Sequence, residues 1–152
     1  MGLIGRMFEG FRVGRDTKIR HLERVPLFED YSGKELRAIA DISKVVEVPE
    51  RTVLCRQGEP GEEFFIIVDG TALVTVSPQK RVRLRPGEFF GEMSLLDGEP
   101  RSATVKAETD LRLLVIERLH FWTFLKQAPE VTERMLVTLS RRIRAHERSQ
   151  TA

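Results

Sequence analysis

With 152 residues, 41% hydrophobic and 32% charged, the chain has the size and composition of one soluble globular domain with a sizeable core. A formal net charge of +2 is too small to argue for nucleic acid as a partner, and no apolar run approaches the length that spans a bilayer. The single cysteine, Cys55, excludes an internal disulfide and fits a reducing cytoplasm, the expected location.

The opening MGLIGRMFEGF is too short in its apolar part, and too broken by glycine and charge, for a signal peptide. Arg6 stands where a myristoylation motif at Gly2 wants Ser or Thr. Residues 1–15 read as a mobile or partner-dependent arm. The alternative is a short amphipathic helix carrying Leu3, Ile4, Met7, Phe8 and Phe11. Residues 16–25 look helical until Pro26 ends them. Ser32-Gly33-Lys34-Glu35 is a capping box, and its helix runs to about Ile42 with Leu36, Ile39 and Ala40 inward.

From Ser43 the period changes. Val45–Val48 and Thr52–Cys55 read as short strands broken by Pro49. Phe64–Val68 is a buried strand and Asp69-Gly70 a hairpin signal. Thr71–Ser77 returns, and Val82 and Leu84 alternate with Arg81, Arg83 and Arg85 in a strand with one wet face. Residues 103–107 and 111–116 close the set. Many short strands at short spacing imply a sandwich, barrel or jelly roll. A helix over 117–128 carries an aromatic cluster with Phe121, Trp122 and Phe124, expected in the core. Pro129 starts a last helix to about Glu147, with Val131, Met135, Leu139 and Ile143 on one stripe and arginines behind.

Between the strands lies FFGEMSLLDGEPRSATV, from Phe89 to Val105. Gly91 permits close approach to the backbone. The apolar run from Met93 to Leu96 is long enough for about one helical turn, whose unpaired N–H groups favour an anion. Arg101 offers a fork of donors suited to a phosphate, and the Ser102 hydroxyl a further donor. Glu92 repels a phosphate but accepts from a sugar hydroxyl.

These residues resemble the cassette of cyclic-nucleotide-binding domains, the module of bacterial catabolite activators, kinase regulatory subunits and gated channels. Phe90-Gly91-Glu92, Ser94-Leu95 and Pro100-Arg101-Ser102-Ala103-Thr104 match its pattern without departure. The resemblance extends to the Pro26-Leu27-Phe28 segment between helices and to the glycines of Gly58–Gly70. It implies a mainly β fold with flanking α: an eight-stranded antiparallel β-roll (jelly roll) over about 43–117, an N-terminal helical segment and a C-terminal helix pair over about 118–148, all within a domain of residues 16–152. It also implies a ligand, cAMP or cGMP, bound by Phe90, Gly91, Glu92, Met93, Ser94, Arg101, Ser102 and Ala103. Glu92 takes the ribose 2′-hydroxyl, Arg101 the cyclic phosphate, and the Ser102 hydroxyl and Ala103 N–H complete the phosphate shell. The last helix closes over the base in that family, so Arg142, Ile143 and His146 are the lid candidates.

A metal-dependent enzyme of the cupin kind needs several His and carboxylate ligands, but His21, His120 and His146 all fall on predicted helices. No metal, no cofactor and no catalysis are expected. A transcription regulator needs a helix-turn-helix, and only four residues follow the last helix. The reading is a stand-alone cyclic-nucleotide sensor whose occupancy moves its C-terminal helix. The alternatives are a degenerate module that binds a partner protein and no nucleotide, or the sensor fragment of a larger regulator. An effector protein of unknown identity and a homodimer through the last helix are the expected partners.

Overall fold

A computed structural model describes residues 14–151, with side chains to residue 148. The arm expected over 1–15 lies almost wholly outside them. Helix α1 (Arg15–Glu23) leads through a 3-10 turn (Pro26–Phe28) to α2 (Gly33–Asp41). The capping box forms as the sequence predicts: Glu35 N donates to Ser32 Oγ at 3.1 Å and Ser32 N to Glu35 Oε1 at 2.9 Å. Lys18 ties α1 to the end of α2 by donating to the carbonyls of Ala40 (2.7 Å) and Ser43 (3.0 Å).

Eight strands follow: β1 (Lys44–Val48), β2 (Val53–Cys55), β3 (Glu63–Asp69), β4 (Ala72–Ser77), β5 (Lys80–Leu84), β6 (Phe89–Phe90), β7 (Thr104–Ala107) and β8 (Leu111–Glu117). They form two four-stranded sheets, ordered β1-β8-β3-β6 and β2-β7-β4-β5, and every pairing is antiparallel. A one-turn helix, α3 (Glu92–Asp97), interrupts the strands, and α4 (Arg118–Gln127) and α5 (Pro129–Thr151) end the chain.

The first sheet is apolar on both faces, and its sequence shows why. On β3, Phe64 and Ile66 face the helices, joining Leu22, Phe28, Ile39, Phe121, Phe124 and Val131 in one core. Phe65 and Ile67 point the other way, into a second core shared with Leu84, Val105 and Ala107 of the opposite sheet. On β8, Leu114 and Ile116 serve the first core and Leu113 and Val115 the second. A strand covered on both sides loses the alternation that marks a half-wet one.

Four sequence expectations change. Asp69-Gly70 is not a hairpin, because β3 and β4 lie in different sheets and the chain crosses between them there. Val82 is 49% exposed, so β5, at the edge of its sheet, is wet on both faces until Leu84. Trp122 is 56% exposed and meets the Phe121 ring edge-on. On α5 the buried residues are Val131 and Met135, Leu139 is half-buried and Ile143 is exposed, because the roll ends before the helix does.

Candidate functional site

Strand β6 is pinned to β3, with Phe90 stacked on Phe65 at 4.7 Å. It delivers the chain to Gly91, which caps α3 at φ 90°, a left-handed conformation that costs glycine nothing. The space is closed as well. A Cβ on Gly91 would lie 2.9 Å from the Glu63 carbonyl and 3.0 Å from Arg101 Nη1. Any larger residue here therefore disturbs both backbone and guanidinium.

Arg101 is fixed at both ends. Its backbone pairs with the preceding loop, through Arg101 N to Glu59 O (2.8 Å) and Gly58 N to Arg101 O (2.9 Å). Its side chain is only 6% exposed. Nη1 donates to Gly91 O at 2.9 Å and Nη2 to Glu63 O at 2.8 Å, with the Phe65 ring centroid 6.0 Å from Cζ. Two carbonyls thus set the plane of the fork while using two of its five N–H donors. The Glu63 carboxylate lies 4.0 Å from Nη2. Burial pushes that carboxyl above the ordinary glutamate range, with Arg101 opposing the shift.

Glu92 is 1% exposed, and its Oε1 accepts from Arg142 Nη1 at 2.6 Å. Arg142 sits on α5, half-exposed at its side chain. Of the three lid candidates, Arg142 contacts the cassette; Ile143 is 59% exposed, and His146 is also on the surface. Ser94 Oγ is buried without a hydrogen-bond partner. Met93 is exposed, with the Ser102 hydroxyl 3.5 Å from its sulfur, and Ala103 is half-buried behind it. The structure therefore gathers Gly91, Glu92, Ser94 and Arg101 at the foot of α3, with Phe90 buried beneath and Met93 and Ser102 at the rim.

Sequence reasoning missed three contributors. Gly61 enters the sequence reading only as one of the glycines of Gly58–Gly70, with no role in the site. A Cβ there would lie 2.5 Å from Ser94 Cβ and 2.8 Å from Arg101 Cζ, so its bare backbone forms a wall of the site. Arg118, at the start of α4, donates from Nη2 to the carbonyls of Gly61 and Ser94 and so joins loop, cassette and α4. Glu63 is the third; an acid opening an otherwise apolar strand was its only signal. The inner face of β4 and β5 also carries Val74 paired with Val82, beside Val105. Among the described residues no group of three or more His, Cys, Asp or Glu could hold a metal ion.

The family model for the cyclic nucleotide-binding domain matches residues 45–128, from β1 to the end of α4. The chain belongs to the cyclic nucleotide-binding domain family. It is 42% identical over 109 residues to a cyclic nucleotide-gated potassium channel of Mesorhizobium japonicum, a match covering 72% of this chain and 30% of that one. The chain accordingly spans about a third of the length of the curated channel relatives it matches. Among solved structures, the regulatory domain of Toxoplasma gondii PKA with cAMP superposes with a TM-score of 0.68 at 25% identity, over 82% of this chain and 50% of that one. Thermus thermophilus catabolite activator protein gives 0.66 at 28% identity, over 80% and 60%. The domain is thus of a regulatory family, and its fold is the β-roll with flanking helices. No helix among the described residues is long and apolar enough to cross a membrane.

Proposed function

We propose that this cyclic nucleotide-binding domain binds cAMP or cGMP at the foot of α3 and passes occupancy to its C-terminal helix. One observation carries the reading: Glu92, buried beside the guanidinium site, is held by Arg142 from α5 at 2.6 Å. The cyclic phosphate takes the free N–H donors of Arg101, the Ser102 hydroxyl and the N–H of Ala103, and the ribose hydroxyl takes Glu92. Val74 and Val82 offer an apolar wall to the base. A ribose on Glu92 competes with Arg142, so the nucleotide favours a different seat for α5, and occupancy becomes a shift between two helix positions. Ile143 and His146, next to Arg142, are the residues that a resettled helix brings over the base.

The domain catalyses nothing in this reading. It acts in the cytoplasm, where the buried Cys55 thiol, pushed up to about 12 by burial, stays neutral and unreactive. Its effector is a protein, either a separate partner, a second copy through α5, or further chain of a channel-type regulator. The same Arg142 contact favours one rival, an interaction module whose acceptor is already taken and which binds no nucleotide. A thermal shift with each nucleotide separates them. Ligand at a hundredfold over its dissociation constant adds about 2.7 kcal/mol of stability. No shift with either nucleotide refutes the sensor.

A further inference from the structure

The guanidinium in this site already has an anionic neighbour. Glu63, the first residue of β3, is 7% exposed, and its Oε1 lies 4.0 Å from Arg101 Nη2. The same Nη2 donates to the Glu63 backbone carbonyl at 2.8 Å, which keeps the carboxylate beside the guanidinium. Its other charged neighbours are spoken for. Glu117, its cross-strand partner on β8, is held by Lys44 of β1, and Glu62 is held by Arg118 of α4. Glu92 on α3 is held by Arg142, and the Cys55 thiol stays neutral. Among the described residues no donor is hydrogen-bonded to the Glu63 carboxylate, and Arg101 is its one ion contact. A phosphate arriving at Arg101 therefore meets a second anion already seated beside the guanidinium.

We propose that Glu63 is a built-in competitor for Arg101: it compensates the guanidinium when no nucleotide is present, lowers nucleotide affinity, and takes up a proton when the phosphate arrives. This rests on Arg101 being the phosphate's partner. The chemistry balances simply. The nucleotide binds as a monoanion, Glu63 gains one proton from solvent, and no covalent bond to the ligand changes. The direction of the linkage follows. Glu63 is buried, and the neighbouring Glu117 and Glu62 charges add to burial in raising its pKa. An adjacent phosphate raises it further. Between the free and the bound pKa, binding consumes protons, so affinity increases as pH falls through that window.

The test is calorimetric titration of cAMP, and in parallel cGMP, into the full chain and into Glu63→Gln. Each is measured from about pH 8 to about pH 5.5, in two buffers of different ionisation enthalpy. The wild type is expected to take up protons on binding and to bind more tightly at the acid end. Glu63→Gln, nearly the same shape without the charge, is expected to bind about tenfold more tightly near neutral pH, one pKa unit's worth of coupling. It also loses the proton uptake, while any contribution of His21, His120 and His146 persists in both proteins. Zero proton uptake by the wild type overturns the inference without recourse to any variant. A folded Gln variant that binds no more tightly than the parent overturns it too, and leaves the nucleotide reading standing. Binding by the Gln variant alone supports it, whereas no binding by either protein removes both.

Discussion

Removing the Arg142 side chain, as in Arg142→Met, leaves the Glu92 carboxylate 1% exposed and without the one cation that touches it. A buried charge stripped of its partner costs several kcal/mol when fully enclosed. Here the arginine is 46% exposed, so water can reach part of the vacated space. A loss of about 2 kcal/mol is expected. For a domain of this size that lowers Tm by roughly 4–8 °C. Glu92→Gln is milder, about 1 kcal/mol, because the amide oxygen still accepts and the arginine left behind is half in solvent. The double variant should cost less than the two singles added, giving a coupling of about 1–2 kcal/mol. Measured by urea denaturation without nucleotide, that coupling reports the pair. Repeated with saturating cAMP, it should fall towards zero, because the ribose hydroxyl then replaces Arg142 on Glu92. A coupling of the same size with and without cAMP refutes the exchange and, with it, the proposed route from ligand to helix.

Arg101→Lys keeps the charge but not the fork that reaches both Gly91 O and Glu63 O; cAMP affinity by calorimetry should fall on the order of a hundredfold, about two charge-assisted hydrogen bonds' worth. Ser94→Ala removes a buried hydroxyl that has no partner, so urea denaturation should show the nucleotide-free protein more stable by about 1 kcal/mol; a loss of stability would show that the hydroxyl is satisfied after all. Gly61→Ala places a methyl 2.5 Å from Ser94 Cβ and 2.8 Å from Arg101 Cζ, and the overpacking should cost about 1–3 kcal/mol and weaken cAMP binding in the same calorimetric assay.

The cassette was legible in the sequence because every part of it is local. A left-handed glycine, one helical turn and an arginine ten residues later fall within a single stretch, and each has its own chemical signature. The strands were legible as runs, but their partition into sheets was not. Asp69-Gly70 carries a hairpin's residues where the chain in fact crosses from one sheet to the other. Pairing depends on which strands meet across the fold, and no dipeptide encodes that. Arg142 shows the same boundary from the side of the site. Its partner Glu92 is fifty residues away, so the resemblance offered three lid candidates on α5 and spacing could not choose among them. Glu63 merely precedes the apolar run Phe64–Val68 in sequence, and its burial comes only when it folds beside Arg101. Trp122 misled for the opposite reason: aromatic neighbours in sequence stand on different faces of a helix, and only Phe121 and Phe124 face the roll.

The site pairs charges among its own residues, Glu92 with Arg142 and Glu63 beside Arg101. On the proposed reading, an incoming nucleotide does two kinds of work, displacing one cation and crowding one anion. Only the first moves a helix. How far a given affinity can move it depends on what resists, and α5 resists little beyond its first turns. Val131 and Met135 anchor it in the core, whereas residues 140–148 are all exposed. A ligand that prefers the reseated state by about 1.4 kcal/mol already shifts the ratio of the two states tenfold, and one with no such preference shifts nothing however tightly it binds. On the proposed reading, Glu63 tunes how tightly the nucleotide binds, and Arg142 tunes how much of that binding reaches the helix. Neutralising the first should therefore change affinity and leave the nucleotide-induced helix shift intact at saturation, while removing the second should abolish the shift even where binding survives.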